Sequence, residues 1–333
     1  MIKTKQIAAL LDRVAGARIA VVGDAMLDQY FYGTTERVSR EAPVPIVIYD
    51  REEHRLGGAA NAARNVVALG GRAAIASVAG QDRSGRALVR ALSAAGIDPT
   101  PVVRERGRCT LTKLRVLAGA VGTGKQQVLR LDWQPSDPPR AETRRRFLIA
   151  LRRALARVDG VLVSDYGGGT VDNSVIKLLA LTARRIPVVV DSRYQLDQFS
   201  GPFVLKPNAP ELAAMVGGRA ESDAEVVAAA RRMIERTGAN VVLTTRGRSG
   251  MTWVSARREV RHQPIHGSGD VTDVTGAGDT VGAALVLALA CGAAAADAMA
   301  LATVAAGIVV QKLGAATATP DEVRAVLGPQ VAP

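Results

Sequence analysis

The chain has 333 residues, 48% hydrophobic and 22% charged, a globular balance that excludes disordered, collagen-like and disulfide-scaffold proteins. Aromatic residues make up only 3%, so Ala, Val and Leu must fill the interior. A net charge of +12 suits anionic partners, yet the basic residues are scattered and form no basic tail. At roughly 150 residues per domain, the length fits two domains or one large α/β domain with an insertion.

The N-terminal stretch up to Gly16 reads as an amphipathic helix, because Asp12 and Arg13 interrupt any signal-peptide core. Arg18–Gly23 is an apolar run ending in Gly, the texture of a buried parallel strand. Tyr30–Tyr32 and Pro43–Tyr49 read as exposed or edge strands that interrupt the α/β pattern and form a small lid. Helices follow over Ala59–Leu69 and Ser84–Ala95, with a strand over Ala73–Ala79 between them. Thr110–Ala118 and Gln126–Asp132 alternate like a β-pair around a Gly-rich turn, and Pro139–Val158 is a long Arg-studded helix. Strands then fall at Gly160–Ser164, Pro187–Asp191, Phe203–Lys206 and Asn240–Thr245. The helices among them are Asp172–Arg184, Ala209–Val216 and Asp223–Thr237, and an antiparallel pair follows around Met251–Val260.

From Asp279 onward the chain reads as helical. Its uncharged run Val281–Ala296 stops at Asp297, short of the ~20 residues a membrane span requires, so the protein is expected to be soluble. Strands alternating with helices imply an α/β fold with a mostly parallel sheet covered on both faces. Cys109 and Cys291 are too far apart for a thiolate zinc motif, and their scarcity fits a reducing cytoplasm.

The sharpest chemical signal is the Asp273–Thr280 segment DVTGAGDT, placed directly before an apolar helix. Gly276 and Gly278 free the backbone so that N–H groups converge beside the helix N-terminus. Such a hole suits charge developing on a transferring phosphoryl group, and Asp279 could accept the acceptor hydroxyl's proton. An ordinary turn with Asp279 as a helix cap is the bland alternative. A second glycine pair, Gly57 and Gly58, enters another helix at Asn61, which offers both a donor and an acceptor to hydroxyls. Asp24 and Asp28 follow the carboxyl end of the first strand, where α/β sheets bind ligands. There they could grip vicinal sugar hydroxyls, or simply cap a helix.

GGAAN at 57–61 and DVTGAGDT at 273–280, in this order and separation, resemble the ribokinase-like carbohydrate kinases of the PfkB family. The resemblance covers about residues 15 to 325 and implies a ribokinase-like three-layer fold. The whole chain would be one kinase domain, with a β lid from segments near 29–50 and 110–132. Further segments, among them GDAMLDQYFYG (23–33), EAPVPIV (41–47), QQVLRLD (126–132), VSDYGGG (163–169) and KPNAPE (206–211), are similar to D-glycero-β-D-manno-heptose-7-phosphate kinases. Those enzymes phosphorylate O1 of the heptose for lipopolysaccharide-core precursors.

The resemblance makes Asp279 the base, with Gly276, Ala277 and Gly278 as the anion hole. Asp24, Asp28, Gly57, Gly58 and Asn61 would bind sugar. Asn208 and Glu211 match the N-x-x-E element that organises Mg²⁺ through water beside the ATP phosphates. Thr245, Arg246, Gly247 and Gly250 would lie along the nucleotide, with Ala306 and Gly307 flanking adenine. A monovalent cation is left open. Lys113, Arg115 and Arg130 would read the distal phosphate of the sugar; a solvated strand face is the alternative. Arg104, Arg106 and Arg108 are expected to be solvated. Lid strands of this family often pair two subunits, so a homodimer is expected, with no nucleic-acid or membrane partner.

Two departures bear on the sugar. The family pattern D-P-K-G is replaced by Asp191-Ser192-Arg193-Tyr194, and Gly168 stands where a lysine is expected. The bifunctional relatives also carry a nucleotidyltransferase domain, and none is expected in this chain.

Overall fold

The computed structural model describes residues 4–120, 122–267 and 271–328. The elements run α1 (Thr4–Val14), β1 (Arg18–Gly23), β2 (Ala25–Val38), β3 (Pro45–Gly58), α2 (Ala59–Ala68), β4 (Arg72–Gly80), α3 (Arg83–Ala94) and β5 (Val102–Glu105). Next come β6 (Thr112–Gly119), β7 (Gln126–Trp133), α4 (Ala141–Leu155), β8 (Gly160–Asp165), α5 (Asn173–Thr182), β9 (Val188–Ser192) and β10 (Val204–Leu205). The chain continues through α6 (Ala209–Val216), α7 (Asp223–Thr237), β11 (Val241–Thr245), β12 (Met251–Ser255), β13 (Val260–Gln263), α8 (Ala277–Ala290), α9 (Ala295–Val309) and α10 (Pro320–Leu327).

Nine strands form one sheet in the order β13-β12-β11-β10-β9-β8-β1-β4-β5, and four form a second in the order β3-β2-β6-β7. In the large sheet β1 lies parallel between β4 and β8, with Val21 opposite Ile75 on one side and Leu162 on the other. Alternation along β1 divides the interior in two. Ile19 and Val21 join a core shared with α1, α2, α8 and α9, whereas Ala20 and Val22 join one shared with α4, α5 and α7. Helices on both faces of a mostly parallel sheet make the fold a layered α/β one.

The expected elements are present, with instructive differences. The lid strands β2 and β3 are far longer than the short segments expected, because β2 leaves the carboxyl end of β1 after Asp24 and runs antiparallel to β3 from Ala25 to Val38. Proline at 43 and 45 confines β3 to the sheet edge, where a missing N–H donor costs nothing. The expectation that Arg104, Arg106 and Arg108 are all solvated fails at Arg108. Arg104 and Arg106 are exposed, but Arg108 is buried and donates to the carbonyls of Asp137 and Gly168 (both 2.7 Å). The strand β5 that carries Arg104 was hidden by this alternation of arginines. The apolar C-terminal run splits into α8 and α9, both packed in the core. Among the described residues no helix is long and apolar enough to cross a membrane.

Candidate active site

The site is built around the N-terminus of α8. Gly276 adopts a left-handed conformation (φ 80°, ψ 0°), and a Cβ there would meet Asn61 Nδ2 at 2.8 Å, so glycine is required on both counts. The turn swings Asp279 inward, where it is 7% exposed. Its Oδ2 accepts from Asn61 Nδ2 (2.7 Å) and its Oδ1 from the Tyr166 hydroxyl (3.1 Å). Burial raises the Asp279 carboxyl to about 6; Asp191 adds to the rise, while Asn61, Lys206 and Tyr166 oppose it. A carboxylate held near 6 is mostly ionised at neutral pH yet basic enough to take a proton.

The three residues expected to form the anion hole are not equivalent. The Ala277 N–H is spent on the Val274 carbonyl (3.2 Å). Gly278 and Asp279 lie in the first helical turn, whose N–H groups have no carbonyl four residues earlier to bond. A Cβ on Gly278 would lie 3.7 Å from Lys206 Nζ and 3.9 Å from Asp191 Oδ2, which places that ion pair beside the loop. Lys206 is 4% exposed and binds Asp191 at 2.8 Å. Sequence reasoning left out Lys206, Asp191 and Tyr166. KPNAPE carries Lys206 and VSDYGGG carries Tyr166, while Asp191 opens the segment noted only for its departure from the family pattern.

Among the residues expected to bind sugar, Asn61 sits in the first turn of α2, entered through Gly58 (φ 55°). Its Oδ1 is buried without a hydrogen-bond partner among the described residues. A Cβ on Gly57 would come 2.5 Å from Asp28 Oδ2, and one on Gly58 2.5 Å from the Asp24 carbonyl.

Asp24, expected to bind sugar, has a structural task within the protein. Fully buried, it accepts backbone N–H groups from Tyr166 (2.9 Å), Gly168 (2.8 Å) and Thr170 (3.2 Å), so it builds the loop after β8. Burial raises its carboxyl above the usual range, and the neighbouring Asp165 charge adds to this. Asp28 accepts from Arg115 (2.8 Å) on the lid.

The expected distal-phosphate residues separate. A cavity of about 290 Å³ is lined by Lys113, Arg130, Asp132, Tyr166, Gly168, Arg193 and Tyr194, among others. Arg115 is absent from that lining because it is held by Asp28 and by the Tyr30 ring (5.2 Å). Arg130 is clamped in bidentate fashion by Asp132 (2.7 and 2.6 Å). Burial lowers the Lys113 ammonium below its ordinary range. Arg193 enters from the departed segment after β9, and Tyr194 lies over Gly167, where a Cβ would meet its ring at 2.9 Å.

Of the residues expected along the nucleotide, Asn208, Thr245, Arg246 and Gly247 line a second cavity of about 390 Å³ at the ends of β10 and β11. Asn208 and Glu211 form a reciprocal capping box at the start of α6 (2.9 and 2.8 Å), which fixes both side chains. Arg246 is held by Asp223, the Glu221 carbonyl and Thr252. Gly250 and Gly307 are packing glycines, since a Cβ would come 2.0 Å from the Gln263 carbonyl and 2.6 Å from the His266 carbonyl respectively. Ala306 is half-buried beside Gly307. Glu211 uses Oε2 in its cap, and Oε1 has no hydrogen bond among the described residues. One carboxylate oxygen suits a Mg²⁺ held mainly through phosphates and water.

The pfkB family carbohydrate kinase pattern matches residues 17–322. The chain is 41% identical over 326 residues to the bifunctional protein HldE of Paramagnetospirillum magneticum, covering 95% of this chain and 65% of that one. It is 40% identical over 326 residues to the HldE of Trichlorobacter lovleyi, covering 97% and 65%. The chain thus spans about two thirds of the length of these curated relatives. Arabidopsis thaliana ribokinase complexed with ribose and ATP superposes with a TM-score of 0.72 at 20% identity, covering 95% of this chain and all of that one (100%). Escherichia coli phosphofructokinase-2 in complex with fructose-6-phosphate gives 0.72 at 20% identity, covering 93% and 98%. At such identities the superpositions speak for the ribokinase-like fold. The family pattern spans both the glycine pair before Asn61 and the loop before Asp279, and the chain belongs to the pfkB family of carbohydrate kinases.

Proposed function

We propose that this sugar kinase transfers the γ-phosphoryl group of ATP to O1 of D-glycero-β-D-manno-heptose 7-phosphate. The observation that carries the reading is the cationic cavity at Lys113, Arg130 and Arg193, which shares Tyr166 with the Asp279 site. A sugar with a phosphate at its far end would span from those cations to the base. The relatives called HldE and the heptose-kinase resemblance of the sequence support the same acceptor.

In the step itself, Asp279 accepts the proton of the acceptor hydroxyl as its oxygen forms a bond to Pγ. The bond from Pγ to the bridging oxygen breaks, and its electron pair leaves on the β-phosphate of ADP. The N–H groups of Gly278 and Asp279, with the positive end of α8, face the charge on the transferring group. Lys206, fixed by Asp191, adds a full positive charge beside them. Mg²⁺ carried with the nucleotide would neutralise phosphate charge, and Glu211 would hold it through water. The edge strand β7 exposes Leu129, Leu131 and Trp133, an apolar row that supports pairing of two lids in a homodimer.

A second reading keeps the chemistry and changes the acceptor to another sugar phosphate. It is favoured by Gly168 and by the Asp191–Tyr194 segment, both of which alter the cavity wall. ADP release from Mg-ATP with heptose 7-phosphate, fructose 6-phosphate, ribose, fructose or no sugar separates the two. Turnover confined to heptose 7-phosphate is expected. Turnover confined to another phosphosugar would move the assignment to the second reading. Turnover only with unphosphorylated sugars would remove the distal-phosphate site.

A further inference from the structure

Tyr166 is the first residue beyond β8, and it ties two buried carboxylates together. Its backbone N–H donates to Asp24 Oδ2 (2.9 Å) and its hydroxyl to Asp279 Oδ1 (3.1 Å). The loop carrying it is bonded from beneath at nearly every peptide. Asp24 also takes the N–H groups of Gly168 and Thr170, while Asp165 Oδ1 takes that of Gly167 (3.1 Å). Arg108 holds the Gly168 carbonyl, and Arg144 holds those of Gly169 and Thr170 (both 2.8 Å). Ser192 and Gln195 anchor Asp165 Oδ2 in turn (2.6 and 2.8 Å). Such a network leaves the tyrosine little freedom to wander.

We propose that Tyr166 is a positioning residue for phosphoryl transfer, locking the rotation of the Asp279 carboxylate together with Asn61, and that Asp24 acts on the base through it. A carboxylate offers about four lone-pair sites. Asn61 takes one on Oδ2 and Tyr166 one on Oδ1, which fixes where the remaining pairs point. The Tyr166 hydroxyl itself is pushed well above its ordinary range, first by the Asp279 charge and then by burial, so it stays a donor. Among the described residues, the other charged groups that face Asp279 are Asp191 on β9, Lys206 just after β10 and Arg64 on α2. None of them changes in Tyr166→Phe, so a shift in that variant reports the lost hydroxyl.

The inference rests on Asp279 being the base of the kinase reaction, and two measurements keep the questions apart. In steady-state kinetics, Tyr166→Phe should lower kcat about tenfold with KM for ATP nearly unchanged. The acid limb of kcat/KM should move up by about one pH unit, because the buried carboxylate has lost a donor. In a carbon-13 NMR titration without substrates, the Asp279 carboxyl midpoint should rise in the same variant. Asp24→Asn should shift both in the same direction. An unmoved acid limb together with an unmoved titration would overturn the proposal. So would a rise in sugar KM alone, which would make the hydroxyl a substrate contact. Wild-type protein silent toward every sugar would remove the catalytic role, while the titration would still show whether Tyr166 governs Asp279.

Discussion

The corner between β8, α2 and α8 and the lid sheet both carry aspartates and cations, yet they hold them in opposite ways. In the corner, Asp24, Asp279 and Lys206 are buried, and each has partners that hold it in one arrangement. On the lid, Arg130 pairs with Asp132, and Arg51 and Arg55 pair with Glu53, all partly in solvent. Charges in water are screened and cheap to rearrange, whereas charges in the corner have paid a desolvation cost and lose heavily when a partner goes. The corner is therefore suited to fix reacting atoms, and the lid to adapt around a ligand.

The largest way to break this contrast is Asp279→Asn. It should lower kcat by about three or more orders of magnitude while nucleotide affinity, measured by calorimetry, stays within about twofold. Near-normal turnover would mean that the buried corner does not hold the base.

The same residue links the corner to pH. The folded protein keeps a proton on Asp279 up to about 6, whereas the unfolded chain releases it near the ordinary aspartate value of 3.8. Between those values the native state binds more protons, so this residue's contribution to stability falls as pH rises from about 4 to about 6. Wild type should lose melting temperature relative to Asp279→Asn across that window. A constant difference would contradict the buried assignment.

Next in size is Asp24→Ala, which leaves three backbone N–H groups, that of Thr170 buried and those of Tyr166 and Gly168 half-buried, without their acceptor. Urea denaturation should show a loss of about 3 kcal/mol, and turnover should fall with it as the Tyr166 loop loosens. A loss below about 1 kcal/mol would place Asp24 with the lid carboxylates in energetic terms.

Arg193→Ala sharpens the contrast from the substrate side. KM for a phosphosugar should rise about tenfold with little change in kcat, and KM for an unphosphorylated sugar should not move. Arg115→Ala, by comparison, should act on lid order through Asp28. Equal effects of the two variants on phosphosugar KM would return Arg115 to the phosphate subsite.

The smallest expected effect is on the fold of the lid. Leu131→Glu on β7 should turn dimer into monomer in sedimentation while changing melting temperature by only a degree or two, since the side chain is exposed. A monomeric wild type would end the lid-pairing proposal.

Much of this was legible without coordinates because it is local. The run RIAVVG, the Gly58 entry to α2 and the Gly276 turn before α8 each declare a backbone conformation within a few residues. Even the longer lid strands differ from expectation only in extent, since β2 and β3 draw their full length from pairing with each other. Side-chain roles were less legible. Asp24 looked like a sugar ligand because it stands at a strand's carboxyl end, and only the path of the Tyr166–Thr170 loop shows that its oxygens accept three backbone N–H groups. Arg108 looked solvated because alternation with Arg104 and Arg106 imitates an exposed strand, and a carbonyl sixty residues on decides otherwise.

By itself, then, the sequence determined the family and the parallel α/β frame, and it singled out Asp279 as the residue proposed for the base, because glycine turns and apolar periodicity are short-range properties of the chain. The tertiary structure alone decided which cations face the cleft, that Ala277 is a spent donor, and that Tyr166 touches Asp279 across 113 positions of sequence. Those outcomes depend on which hydrogen-bonding partner reaches a buried group first in space, and separation along the chain carries no record of that.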